Sequence, residues 1–131
     1  EIEHRDLFEV ITFAGAVPNA TITNYLAQAD LFVNTSKTGS LDKAVLEAMA
    51  AGVPVLTSNI GLRTTLAGFE KDCLFREGDA NDFAAHIENF ISMPKEERST
   101  LGERLRKVVV VGHDLKTLVK KISDRYALLC K

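Results

Sequence analysis

Residues 30–59 read DLFVNTSKTGSLDKAVLEAMAAGVPVLTSN and change character three times along their length. Leu31–Asn34 is a short apolar run with a β-branched residue, the pattern of a buried strand. Thr35–Ser40 mixes Thr, Ser, Lys and Gly, which is loop chemistry. Leu41, Ala44, Val45, Ala48 and Met49 then recur at helical spacing and predict one apolar face. Ser40 is placed to cap that helix. Gly52 follows its last periodic residue, where a left-handed residue ends a helix without steric cost. Val53–Thr57 is a second apolar strand, with Pro54 at its start, where a missing N–H does least harm. Strand, helix and strand make a βαβ unit, so the two strands are expected to be parallel.

In sheets of that kind ligands sit outside the carboxyl ends of the strands. Thr35–Ser40 and Ser58–Gly61 occupy those ends. The amino end of the helix aims into the same crevice, where its free N–H groups and positive dipole suit a phosphate. Lys43 adds a cation in the first turn. Glu47 lies one turn later, away from the apolar face, as a carboxylate suited to ribose hydroxyls. Together LEAMAAGVPVLTSN at 46–59, ADLFVNTS at 29–36 and VITFAGAV at 10–17 resemble the group 1 family of retaining glycosyltransferases with two Rossmann-like domains. The likeness runs from about residue 9 to 93.

That resemblance implies an α/β fold, a Rossmann-like parallel sheet with helices on both faces. It also implies transfer of a sugar from a nucleoside diphosphate to an acceptor, with retention at the anomeric carbon. In the family two glutamates flank seven residues. The second falls on Glu47 and implies a ribose contact. The first falls on Gly39, so that carboxylate is missing. The family's backbone amides toward sugar and phosphate fall on Ser40, Leu41, Asp42 and Lys43. Asp42 stands three positions after the lost glutamate as a substitute, and with Lys43 it forms the expected catalytic pair. Val17, in the turn after the first strand, becomes a candidate nucleobase contact. Gly61 borders the crevice from the next strand, and Arg63 is within reach of a phosphate. The family's second domain begins with two further strands before Glu9, and its diphosphate-clamping Arg and Lys lie there. The expectation is therefore one incomplete donor-binding domain over residues 1–131, partnered by an acceptor-binding N-terminal domain.

Outside the central unit, Glu1–Phe8 reads as the end of a helix and Glu9–Phe13 as a strand left at an edge without its usual neighbours. Ile22, Tyr25, Leu26 and Ala29 predict a helix. Gly61–Gly68 reads as a short helix and Cys73–Phe75 as a strand. Asp79 caps a helix running to about Met93, with Phe83, Ile87, Phe90 and Ile91 inward. Pro94 opens a helix over 95–111, against the β-branched preference of Val108–Val111, and Gly112 breaks it. Asp114 caps a last helix with Leu115, Leu118, Val119, Ile122, Tyr126 and Leu129 on one face, so that helices fill the chain from about 95 to 130.

The composition, 46% hydrophobic and 26% charged over 131 residues, is that of one globular domain with a real core. No signal-peptide core or membrane-length apolar run is present, which favours a cytoplasmic location or the inner face of the membrane. Residues 1–94 hold six Lys/Arg against thirteen Asp/Glu, a net of −7, while residues 95–131 hold ten against five, a net of +5. The basic tail suits peripheral contact with an anionic membrane as well as a solvated helix face. No aromatic residues interleave these charges, so nucleic acid is not expected as a partner. Cys73 and Cys130 lack metal spacing, and His4, His86 and His113 share no helical turn, so no metal or other cofactor is expected. No nucleophile elbow, Walker lysine loop or G-x-G-x-x-G is present. Two other readings stay open: a nucleotide-sugar-binding module that has lost activity, and a nucleotide-sugar epimerase of the same architecture.

Overall fold

A computed structural model describes residues 10–37 and 39–129, excluding the side chain of Leu115. The expected helix end at Glu1–Phe8, Glu9, and Cys130 lie outside the described residues. The order of elements is α1 (Ile22–Leu26), β1 (Phe32–Asn34), α2 (Lys43–Ala50), β2 (Val55–Thr57), α3 (Glu70–Cys73), α4 (Ala80–Ser92), α5 (Lys95–Gly112) and α6 (Leu115–Leu129). Short 3-10 turns at Asn19–Thr21 and Ile60–Leu62 lead into α1 and out of β2.

The βαβ unit forms as the apolar pattern requires. β1 and β2 pair in parallel with Phe32 opposite Val55, Val33 opposite Leu56 and Asn34 opposite Thr57. A single parallel bridge from Thr57 to Leu74 adds the start of a third strand. Val45, Ala48 and Met49 of α2 are fully buried, on a core shared with Val53, Val55, Leu62, Leu66, Leu101 and Leu105. Burying a side chain the size of Met49 contributes about 1.5–3 kcal/mol. α2 ends in paired hydrogen bonds, Gly52 N–H to the Met49 carbonyl and Val53 N–H to the Ala48 carbonyl. That closure needs Gly52 at φ +80°, a conformation open to glycine. α5 crosses this turn at Gly102, where a Cβ would run into the Gly52 carbonyl oxygen and come within 3.3 Å of Pro54 Cδ.

Several expectations are corrected. Residues 10–13 form no strand, and Val10 and Phe13 are 77% and 73% exposed. With no strand beside it among the described residues, the segment has no ladder to join. Ser40 does not cap α2. Asp42 does, its carboxylate accepting from Ala44 N–H, so the helix starts at Lys43 and Leu41 is left outside it and half exposed. Ala44 is exposed too, which narrows the apolar face to Val45, Ala48 and Met49. In place of a strand over Cys73–Phe75, Cys73 closes α3 and Leu74 alone bridges. Gly61–Gly68 is helical only over its first two residues and continues as turns. On α4 the buried residue is Phe90, with Phe83 and Ile87 half-buried and Ile91 exposed. Val108–Val111 stays helical, because Leu101, Leu105 and Val109 seat α5 in the core, and Gly112 belongs to the helix. α1 is short, with Leu26 buried and Tyr25 and Ala29 exposed. The apolar positions of α6 from Leu118 to Leu129 are exposed rather than packed.

Candidate functional site

The site is built at the carboxyl ends of β1 and β2. Each strand ends in a polar residue that the packing buries: Asn34 is half-buried, and Thr57 and Asn59 are 0% and 1% exposed. Buried polar groups must find partners, and these find one another. The Thr57 hydroxyl donates to Asn34 Oδ1 at 3.0 Å, and the same oxygen accepts from Ser36 N–H at 3.2 Å. Asn34 Nδ2 donates to Asp42 Oδ2 at 3.0 Å. Asn59 N–H donates to Thr57 Oγ1 at 3.1 Å, its Nδ2 to the Ser40 carbonyl at 2.8 Å, and its Oδ1 accepts from Gly61 N–H at 2.9 Å. Because each asparagine oxygen receives a backbone N–H, the orientation of both amides is fixed.

This network ties the loop between β1 and α2 down at both ends. Asp42 is held by Asn34 and caps α2, while Ser40 is held by Asn59. Gly39 adopts φ +63°, and Gly61 lies directly beneath it: a Cβ on Gly61 would collide with the Gly39 carbonyl oxygen and sit 2.6 Å from its carbon. The loop closes this tightly because residue 61 has no side chain.

Gly39, Ser40, Leu41, Asp42, Lys43 and Gly61 are thus brought together, all exposed except the half-buried Asp42. Lys43 Nζ lies 3.2 Å from Glu47 Oε1. Glu47 is half-buried and lines a cavity of about 320 Å³ between α1 and α2, with Asn19, Ile22, Leu26 and Ala51. Val17 is half-buried two residues before Asn19, in the segment that leads into α1. Arg63 is exposed on the turn after Ile60–Leu62. Asn34, Thr57 and Asn59 were not among the residues singled out from the sequence. The available signal was an uncharged hydrogen-bonding residue ending each of two otherwise apolar runs.

The family model for glycosyl transferases group 1 matches residues 1–93. The chain belongs to the group 1 glycosyl transferases. Over 76 residues this group 1 chain is 34% identical to a protein of Bacillus subtilis named as a teichuronic acid biosynthesis glycosyltransferase, covering 58% of the chain and 20% of that relative. It is 27% identical to a protein of Escherichia coli K12 named as a colanic acid biosynthesis glycosyltransferase, over 92% of the chain and 33% of the relative. An Escherichia coli UDP-Gal:alpha-D-GlcNAc-diphosphoundecaprenol alpha-1,3-galactosyltransferase is 29% identical over 80% of the chain and 27% of its own length. Among solved structures, sucrose-phosphate synthase from Thermosynechococcus elongatus superposes with a TM-score of 0.86 at 26% identity, covering 98% of this chain and 32% of that one. The group 1 chain therefore spans a fifth to a third of the length of these relatives. No helix among its described residues is long and apolar enough to cross a membrane.

Proposed function

We propose that this chain is the part of a sugar-transferring enzyme that holds the nucleoside-diphosphate sugar donor. The observation that carries the reading is the tethered loop Gly39–Asp42, with the cation of Lys43 at the start of α2. A loop fixed from beneath presents its groups without reorganising, which is what stabilising charge on a departing diphosphate requires. In this reading Lys43 and the amino end of α2 hold the diphosphate, with no metal needed. Glu47 accepts from ribose hydroxyls at the cavity it lines, and Val17 borders the base. Asp42, with both oxygens engaged, serves by holding the loop and the first turn of α2 in place. Transfer proceeds with retention, in a longer polypeptide whose acceptor-binding domain faces this rim. The exposed apolar positions of α6, flanked by Lys116, Lys121 and Arg125, support contact of that polypeptide with an anionic surface on the cytoplasmic side of a membrane.

Calorimetric titration of the intact protein with uridine, guanosine and adenosine diphosphates tests the reading. One of the three binds, and Lys43→Ala and Glu47→Ala each weaken it at least about tenfold, the loss of one charged contact. Absence of binding by all three, or undiminished affinity in both variants, overturns it. The glycine at 39 and the engaged carboxylate of Asp42 favour one second reading, donor binding without transfer. Turnover of a bound nucleotide sugar eliminates that second reading.

A further inference from the structure

The two charged side chains at the rim are joined to one another. Lys43 opens α2 and Glu47 stands one turn later, with Lys43 Nζ 3.2 Å from Glu47 Oε1. Among the described residues Lys43 makes no other ion pair. Asp42, its neighbour in sequence, does not compete for the ammonium, because its two oxygens accept from Ala44 N–H and Asn34 Nδ2. The partners differ in exposure. The Lys43 side chain is 77% exposed and the Glu47 side chain 33%, and Glu47 lines the cavity between α1 and α2. The carboxylate is the fixed end of the pair. The ammonium, on a flexible four-carbon stem, is the end that moves.

A diphosphate at the loop and the carboxylate of Glu47 are both anions, and one ammonium serves them. We infer that Glu47 competes with the diphosphate for Lys43, and so loosens the hold of the loop on phosphate. This is a positioning role, separate from contact with ribose. It rests on the proposed function, because it takes Lys43 as the cation that meets the diphosphate. The size of the effect is that of an exposed ion pair one helical turn apart, about twofold in affinity. Such differences fall mainly on the rate of departure. A lysine recaptured by Glu47 therefore releases a spent diphosphate sooner than a free one would. Direct repulsion between Glu47 and the diphosphate acts in the same direction. Lys43 separates the two effects: repulsion persists when the lysine is absent, and competition does not.

Amide NMR titration of the intact protein with pyrophosphate, an anion with no ribose to meet Glu47, tests the inference at low ionic strength. Glu47→Gln binds pyrophosphate about twofold more tightly than the parent, and salt at about 0.15 M shrinks the gain. In a Lys43→Ala background the same substitution leaves pyrophosphate affinity unchanged. The carboxyl carbon signal of Glu47 moves as pyrophosphate saturates the parent, because its ammonium leaves, and stays in place in Lys43→Ala. A Glu47 that only stabilised the helix would produce neither result. Unchanged or weaker pyrophosphate binding in Glu47→Gln, a gain that persists without Lys43, or a carboxyl signal that stays still in the parent overturns the inference. Failure of the proposed function reads differently. There neither pyrophosphate nor any nucleoside diphosphate binds, or Lys43→Ala leaves their affinity unchanged, and both readings fall together.

Discussion

Replacing Asn59 by alanine removes the residue that fastens the loop Gly39–Asp42 from below. The side chain is buried and makes two hydrogen bonds, at 2.8 Å to the Ser40 carbonyl and 2.9 Å from Gly61 N–H. Truncation removes the Asn59 hydrogen bond from both backbone groups, at about 1–3 kcal/mol for a buried group and less where water reaches it. Ser40 and Gly61 are themselves exposed residues, so the lower half of that range applies. The expected loss is about 2–4 kcal/mol for the pair, or roughly 10 °C in melting temperature for a domain of this size. Differential scanning calorimetry measures it, and nucleoside diphosphate titration of the same variant shows whether the loop has lost its shape. Asn34→Ala should be coupled to it through Thr57, the double variant losing less than the sum by about 0.5 kcal/mol or more. A melting temperature within about 2 °C of the parent, or full donor affinity, would refute the claim that this network sets the loop.

Gly102→Ala should cost about 1–3 kcal/mol in chemical denaturation, because its methyl group meets backbone of the Gly52 turn rather than a side chain that can move. A loss below about 0.5 kcal/mol would show that α5 slides freely over that turn. Burial, with a smaller push from Asp72, raises the Cys73 thiol to about 12. Iodoacetamide at pH 8 should therefore leave the Cys73 peptide unlabelled by mass spectrometry until the protein is unfolded. Asp82 is held below the usual carboxylate range, first by the Arg76 N–H, which donates at 2.6 Å, and then by the Arg76 guanidinium, against an opposing effect of burial. Because its folded pKa is the lower one, its stabilisation is complete above the unfolded value and is lost as pH falls through the folded one. Asp82→Asn should flatten that acid limb of stability, and an unchanged limb would remove Asp82 as its source.

The βαβ core was legible because its signals are local. Val45, Ala48 and Met49 at helical spacing, Gly52 after them and two β-branched runs on either side leave few alternatives. Asp79, Pro94 and Asp114 announced the starts of α4, α5 and α6 for the same reason, since a cap or a proline acts within one turn. Ser40 was expected to cap α2, and Asp42 does so instead, a choice settled from outside the segment. Asn34 reaches across to Asp42 and Asn59 takes the Ser40 carbonyl, contacts that no local pattern contains. Residues 10–13 have strand-forming side chains, yet a strand needs a neighbour, and propensity cannot supply one. The apolar stripe of α6 predicted a helix correctly, but periodicity does not say what the stripe will meet.

In the proposed function Gly39–Lys43 and Gly61 form a cradle for a diphosphate. Backbone amide shifts of the intact, 15N-labelled protein during titration with a nucleoside diphosphate test it most directly. Saturable shifts are expected, concentrated at Gly39, Ser40, Leu41, Lys43 and Gly61, and reduced when Lys43 is replaced by alanine. Saturation of the protein with those five amides unmoved, and the response elsewhere, would contradict it.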